Sequence, residues 1–268
     1  MMSLPRSEVD EALAAGRLPA RAAGSRLRLA GRLLLLIPHL AYGLLLALAL
    51  RMGAGRRLDP QLLAQHWSRG LLRILGLRLK LSGPAPREGG LIVANHVSWL
   101  DIPVLFASRP LRFVSKSEVR HWPIAGWLAD AAGTFYIRRG KGGSRPLIRR
   151  LRPHLESGGS VAVFPEGTTT AGREVMAFHP RLFAAAIESR RPVHVVALRY
   201  SRDSDGADLA PFIGDDDLVS HLLRLLRSPG LTVELRYCAE LCPQQRSRED
   251  LANGAHAAIS RVLQAPPE

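Results

Sequence analysis

The amino-acid sequence predicts an α/β protein with a mixed, mostly parallel sheet flanked by helices and an N-terminal membrane-associating helical segment. Short apolar runs alternate with helical patterns from residue 77 onward, which is typical of parallel strands joined by helices. The stretch 33–50 contains no charged residue. The chain has 268 residues, enough for one sizeable α/β domain and an appendage.

The net charge narrows the class of partner. The chain has 37 Lys and Arg against 23 Asp and Glu, a formal charge of +14. Such a positive field suits anionic lipid, an acidic carrier protein or nucleic acid. Against nucleic acid, the arginines are dispersed, aromatic residues are sparse, and no RNP, KH or zinc-finger pattern occurs. Cys238 and Cys242 have no further metal-ligand pattern nearby, so we expect reduced thiols, no metal and no cofactor.

The first 75 residues divide into two segments. Residues 1–32 are predicted to be a basic N-terminal arm, either mobile or a surface helix. Residues 33–75 are predicted to hold an apolar and an amphipathic helix for membrane association, the second beginning at Asp59-Pro60. As a helix, 33–50 is about 27 Å long, near the lower limit for crossing a bilayer. Pro38, His39 and Gly43 favour a kinked or shallowly inserted helix, and the alternative is a buried helix of a soluble protein.

Residues 76–268 are predicted to form the α/β domain. Period-2 and short continuous apolar runs predict its strands, and longer 3.6-period patterns predict its helices. The strands are expected at 77–81, 91–94, 113–114, 134–137, 160–164, 193–200 and 231–237. Helices are expected near 99–107, 146–156, 180–190, 216–227 and after 247, with a helix or Trp-rich loop at 117–130.

Polar clusters follow three of these strands. They are His96 with Asp101, Arg138 with Arg139, and Glu166 with Gly167. In open α/β sheets ligands bind beyond the carboxyl ends of the strands. The sequence therefore predicts one candidate site built from these clusters.

His96 and Asp101 allow two interpretations. Five positions apart, they lie about 140° apart on an ideal helix and meet only if His96 lies in the loop before it. Asp101 would then accept the Nδ1 proton and leave Nε2 free as a general base. Alternatively, Ser98 and Asp101 form a capping box, with Pro103 in the first turn of the helix. No Gly-x-Ser-x-Gly nucleophile motif occurs, which favours direct attack by a substrate hydroxyl.

The other two clusters also have a structural alternative. Arg139 can pair with a phosphate, or Arg138 and Arg139 can be solvated basic surface. Glu166 can order its loop, bind a substrate hydroxyl, or be an ordinary turn carboxylate. Gly167 and Thr168 supply a close-approaching backbone and a hydroxyl donor for an anion.

Four blocks, NHVSWLD, GTFYIRR, VFPEGT and VVALRY, resemble in order and spacing those of the glycerolipid acyltransferases, the bacterial 1-acylglycerol-3-phosphate acyltransferase family. The resemblance covers roughly residues 75–240 and implies that His96 and Asp101 are the catalytic His-x4-Asp pair. It implies that Gly133, Arg139, Glu166 and Gly167 hold the acceptor's phosphate. Lys116 also stands where related sequences carry a basic residue.

The function implied is transfer of a fatty acyl group from acyl-CoA or acyl-carrier protein to the sn-2 hydroxyl of lysophosphatidic acid. The expected location is the bacterial inner membrane, with the site on the cytoplasmic side. Two positions depart from the family pattern: Thr169 replaces an expected Arg, for which Arg173 is a candidate substitute, and Val195 replaces a common Pro. Relatives that acylate lyso-ornithine lipid share these blocks, so that acceptor is the alternative.

Overall fold

One mixed sheet forms the centre of the protein. The computed structural model describes residues 17–53, 58–137, 144–203 and 206–266, with side chains of the first helix described from residue 24. The strands are β1 (Leu77–Ser82), β2 (Leu91–Ala94), β3 (Arg112–Lys116), β4 (Phe135–Ile137), β5 (Val161–Val163), β6 (Val193–Tyr200) and β7 (Leu231–Leu241). Within the described residues their order across the sheet is β1-β7-β6-β2-β5-β3-β4.

Helices cover both faces of this sheet. They are α1 (Arg17–Arg51), α2 (Pro60–Leu75), α3 (Asp101–Ser108), α4 (Ala125–Ala131), α5 (Arg145–Glu156), α6 (Ala184–Ser189), α7 (Leu218–Arg227) and α8 (Arg248–Gln264). Short 3-10 turns at Ser117–His121 and Pro180–Phe183 precede α4 and α6. Asp59 caps α2 as its sequence predicts, accepting the Gln61 amide at 2.8 Å.

The strand directions bring two of the predicted clusters, His96 with Asp101 and Glu166 with Gly167, to one edge, whereas Arg138 and Arg139 lie outside the described residues. Strand β6 pairs in parallel with β2, β2 with β5, β5 with β3, and β3 with β4. Only the β6–β7 pairing is antiparallel among the described strands. The predicted fold class is therefore confirmed, and β2, β3, β4, β5 and β6 share a carboxyl edge.

The central strands are buried on both faces. Ile92 and Ala94 of β2 pack into the core beneath α2, α3 and α7. Leu91 and Val93 alternate to the opposite face and pack with α5, α6 and α8. A strand buried on both faces has no room to slip by one residue, so β2 is rigidly placed and its carboxyl end is a fixed point for the site.

Helix α1 has an apolar face turned away from the protein. Its packed stripe runs at helical spacing through Leu29, Leu33, Leu36, Leu40, Gly43 and Ala47. The opposite side exposes Leu34 at 74%, Ile37 at 65% and Leu45 at 64%. The segment Gly24–Arg51 is long and apolar enough to cross a membrane, and only 17% of its apolar window is buried. This exposure argues against the buried helix of a soluble protein.

The residues expected to weaken α1 instead pack it onto α2. The helix continues through Pro38 from Arg17 to Arg51. Trp67 Nε1 donates to the His39 carbonyl at 3.1 Å, and His39 Nε2 lies 3.0 Å from the Trp67 carbonyl. A Cβ on Gly43 would stand 2.5 Å from Trp67 Nε1. His39 and Gly43 therefore fit α1 closely against α2.

Candidate functional site

His96 lies two residues after the last residue of β2, in a loop that Asn95 holds to β6. Asn95 Nδ2 donates to the Leu198 carbonyl at 3.0 Å, and the Leu198 amide donates to Asn95 Oδ1 at 2.8 Å. The side chain thus continues the strand pairing by one step while the backbone turns away. The Thr170 amide donates to the His96 carbonyl at 2.8 Å, which fixes the next residue as well.

Asp101, the first residue of α3, reaches back to the His96 ring. Its Oδ2 lies 2.8 Å from His96 Nδ1. The same oxygen accepts the amides of Val97 at 2.7 Å and Ser98 at 2.9 Å. Half of the predicted capping box therefore forms, whereas Ser98 Oγ is buried without a hydrogen-bond partner in the part of the chain described. One carboxylate both caps the turn and orients the imidazole.

This geometry sets what the imidazole can do. Because a carboxylate accepts at Nδ1, the neutral ring carries its proton there and keeps a lone pair on Nε2. The ring stacks on Phe164, with centroids 4.0 Å apart and planes 8° apart. The His96 side chain is 19% exposed, while Asp101 is fully buried. A fixed, partly accessible imidazole backed by a buried carboxylate can take a proton from a hydroxyl.

Tyr200 is a member of the site that the sequence did not single out. Its hydroxyl donates to Asp101 Oδ1 at 2.7 Å, the carboxylate oxygen that His96 does not use. Burial, with the Asp101 charge beside it, raises the pKa of Tyr200 well above its usual value, so the phenol remains a donor. The sequence feature that could have indicated this role is the position of Tyr200 at the carboxyl end of β6, the strand beside β2.

Glu166 holds the backbone of the site together. Its Oε1 accepts the His96 amide at 2.7 Å, and its Oε2 accepts the Met176 amide at 2.9 Å. The side chain is 3% exposed, and burial raises its pKa despite these bonds. Of the three interpretations of Glu166, this geometry supports loop ordering, because both oxygens already have partners.

The glycines and threonines near the site occupy turns. Gly167 follows Glu166 with φ +72°, a conformation that favours glycine, and Thr168 beside it is exposed. Thr169 Oγ1 donates to the Phe212 carbonyl, so this side chain faces the loop after β6. Gly133 ends α4 with φ +77°, its amide donating to the Asp130 carbonyl at 3.0 Å. That is a structural role at a helix C-cap.

The predicted basic residues do not all meet at His96. Lys116 is exposed at the carboxyl end of β3. Arg139 lies outside the described residues. Arg173 is 72% exposed and its guanidinium is 3.9 Å from Asp208. Both line an open cleft of about 240 Å³ together with Val97 and Tyr200. Arg173 thus lies on the β6 side of the site, whereas Phe164 and β3 lie on the other.

Comparison with known proteins places the chain in a family. The family model described as Acyltransferase matches residues 78–201, which include His96, Asp101, Glu166 and Tyr200. A lyso-ornithine lipid O-acyltransferase of Pseudomonas aeruginosa is 48% identical over 203 residues, 76% of this chain and 79% of that protein. A 1-acyl-sn-glycerol-3-phosphate acyltransferase of Neisseria meningitidis is 33% identical over 73% of this chain and 78% of its own length. The chain belongs to this family of lysolipid acyltransferases.

A solved structure supports the fold. The chain resembles the crystal structure of the 1-acyl-sn-glycerophosphate acyltransferase PlsC from Thermotoga maritima, with a TM-score of 0.68 and 18% identity. The match covers 92% of this chain and all of that one. The family resemblance read from the four sequence blocks is confirmed.

Proposed function

We propose that His96 is the general base of an O-acyltransferase that acylates a lysolipid hydroxyl. The observation that carries the proposal is the 2.8 Å contact of His96 Nδ1 with the buried Asp101 carboxylate. The acceptor hydroxyl gives its proton to Nε2 as its oxygen attacks the thioester carbonyl carbon. The carbon–sulfur bond then breaks, and the thiolate takes the proton from the imidazolium.

Each group around His96 has a distinct role in this reaction. Asp101 stabilises the imidazolium that forms, and Tyr200 and two backbone amides hold Asp101 in place. Glu166 fixes the backbone of His96 against the loop that contains Met176. Because the ring, the carboxylate and the loop are fixed before substrate arrives, little reorganisation is left for the reaction itself.

The favoured acceptor is a lyso-ornithine lipid, the alternative raised by the sequence. A relative of that name is 48% identical, against 33% for a lysophosphatidic acid acyltransferase. Thr169 replaces the Arg expected to bind phosphate, and its hydroxyl donates to the Phe212 carbonyl. An acceptor without a phosphomonoester needs no donor at that position.

Lysophosphatidic acid, the acceptor that the sequence blocks implied, is the second candidate. Lys116, exposed at the carboxyl edge of the sheet on the side of Phe164, favours lysophosphatidic acid because a lysine can bind its phosphate. Arg139 is proposed as a further phosphate ligand. The proposed acyl donor is acyl-CoA or acyl-carrier protein, both polyanionic, and the net charge of +14 suits either.

The contacts of α1 support a protein that lies on one side of the membrane and does not cross it. Arg32 Nη1 donates to the carbonyls of Leu225 at 2.9 Å and Ser228 at 2.9 Å, at the end of α7. One face of α1 is thus fixed to the domain while the other exposes leucines, as in a helix lying within one leaflet. We place the site on the cytoplasmic side of a bacterial inner membrane, consistent with free Cys238 and Cys242.

The test is an acyl-transfer assay with purified protein. Lyso-ornithine lipid and lysophosphatidic acid are offered in mixed micelles, each with acyl-CoA and with acyl-carrier protein, and His96→Ala is the control. We expect product with lyso-ornithine lipid at least about tenfold faster than with lysophosphatidic acid, and none above background with His96→Ala. Equal turnover by His96→Ala contradicts the mechanism, and faster turnover of lysophosphatidic acid contradicts only the acceptor.

A further inference from the structure

A second apolar surface lies beside α1, where the chain passes from β3 to α4. The Trp122–Trp127 segment, residues 122–127, begins after the 3-10 turn that follows β3 and ends within the first turn of α4. Three of its side chains are exposed: Trp122 at 44%, Ile124 at 40% and Trp127 at 53%. Large apolar side chains grouped in this way on a surface mark an interaction site more often than isolated ones do.

The backbone holds this surface in an unfavourable conformation. Ile124 has φ 62° and ψ −61°, and the Ala125 amide donates to the Pro123 carbonyl at 2.6 Å. These values define a γ-turn with positive φ, a rare and strained turn, here centred on a β-branched residue. Such strain persists where the surrounding structure enforces it and commonly accompanies function. Here it displays an isoleucine between two tryptophans.

The segment lies beside the C-terminal end of α1. A Cβ on Gly43 of α1 would lie 3.2 Å from Leu128 Cδ2, so α4 packs closely on that helix. The Arg51 guanidinium lies 5.9 Å from the centre of the Trp127 ring. The other end of the segment connects through Ser117–His121 to β3, whose carboxyl end shares the edge of His96.

We propose that the Trp122–Trp127 segment is a second lipid contact, which inserts its apolar side chains at the headgroup boundary of a phospholipid bilayer. Tryptophan favours this boundary because its ring is apolar and its N–H is polar, and Arg51 beside it can pair with lipid phosphate. With α1 as the first contact, two contacts fix the tilt of the domain and turn the His96 edge toward the bilayer. This inference rests on the proposed function at the membrane, and it assigns to the Trp122–Trp127 segment the role of orienting the domain there.

A fluorescence measurement tests the insertion directly. The chain has four tryptophans, and Trp67 and Trp99 donate to His39 and His221 inside the protein. Vesicles with brominated acyl chains quench tryptophans at the bilayer boundary. We expect strong quenching of the wild type and at least about twofold weaker quenching of the double variant Trp122→Phe/Trp127→Phe, which keeps apolar rings. Equal quenching of both proteins contradicts the proposal.

Activity provides the second test. Trp127→Ser is compared with Leu81→Ser, a matched control because Leu81 on β1 is also 53% exposed. With long-chain lysolipid in anionic vesicles, we expect Trp122→Ser/Trp127→Ser to lose about tenfold in rate and Trp127→Ser about threefold, with Leu81→Ser unchanged. With a water-soluble short-chain lysolipid, all variants should stay within about twofold of wild type.

Each remaining outcome separates this inference from the proposed function. If the wild type acylates neither lysolipid, the proposed function fails, while the quenching result still reports insertion. If the serine variants keep full activity on vesicles, the segment is not a lipid contact. Loss of a concentration-dependent dimer in Trp127→Ser, with vesicle binding unchanged, would assign the surface to self-association and overturn the proposal.

Discussion

Two histidines of this protein pair with carboxylates at opposite edges of the same sheet. His96 Nδ1 lies 2.8 Å from Asp101, with the histidine 19% and the aspartate 0% exposed. His194 Nδ1 lies 3.4 Å from Glu240, with the histidine 2% and the glutamate 58% exposed. The first pair buries its carboxylate and opens its imidazole, and the second does the reverse.

This difference in burial distinguishes the His96–Asp101 pair, which can act as a base, from the His194–Glu240 pair, which is structural. Buried Asp101 has fixed partners on both oxygens, so its charge acts on a ring that substrate can approach. His194 Nε2 is buried with no hydrogen-bond partner in the described structure, and Glu240 is screened by water. Burial lowers the pKa of His194, as expected for an imidazole that remains neutral in a core.

Asp101→Asn should produce the largest change among the partners of His96. The amide can still accept from His96 and can donate to Tyr200, so we expect folded protein. Without the negative charge the imidazolium is not stabilised, and kcat should fall about 100- to 10,000-fold. Steady-state kinetics with circular dichroism as the folding control check this. Unchanged kcat in a folded variant would reduce Asp101 to a helix cap.

Glu166→Gln should have the next largest effect. An amide nitrogen would face the amide of His96 or Met176, leaving a buried donor unpaired at a cost of about 1–3 kcal/mol. We expect kcat to fall about 10- to 100-fold, the melting temperature to fall, and KM for the acceptor to change less than about threefold. A selective rise in KM would instead assign Glu166 to substrate binding.

Tyr200→Phe tests the far oxygen of Asp101. Loss of the hydroxyl leaves Oδ1 without its phenol donor, so the carboxylate is held less firmly behind His96. We expect kcat to fall about 3- to 10-fold, with KM for the acceptor changed by less than about threefold. A folded variant with unchanged kcat would leave Tyr200 only a packing role.

His194→Gln should leave activity within about twofold of wild type, yet change stability in acid. The depressed pKa means that below about pH 6.5 the unfolded chain takes up a proton that folded His194 resists, so the wild type loses stability as pH falls. His154 and His221 add to this loss, because burial lowers their pKa as well. Thermal melts at about pH 7.5 and about pH 5.5 should show a smaller drop for the variant.

The sequence predicted the fold because its strands are buried on both faces. The short apolar runs ending at Ala94 and Phe164 are typical of core strands of an α/β sheet, and the polar residues after them indicated one edge. His96 and Asp101 were predicted to meet, and they do. That Glu166 binds two backbone amides could not be read from spacing, because Met176 approaches it only through the path of a loop.

Other features depended on tertiary packing that no local pattern records. Pro38, His39 and Gly43 suggested a weakened helix, yet two of them are the surface on which Trp67 of α2 packs. Tyr200 reads as the end of a strand until β6 is placed beside β2, where its hydroxyl reaches Asp101. Both depend on which element becomes a neighbour, and that follows from the order of strands and helices rather than from local sequence.

The role of His96 as general base is tested most directly by comparing His96→Gln with His194→Gln in single-turnover acyl transfer to a lysolipid. Both variants replace a histidine that contacts a carboxylate, at opposite edges of the sheet. We expect a rate at least about 1,000-fold below wild type for His96→Gln and within about twofold of wild type for His194→Gln. If His96→Gln transfers the acyl group at the wild-type rate, His96 is not the general base.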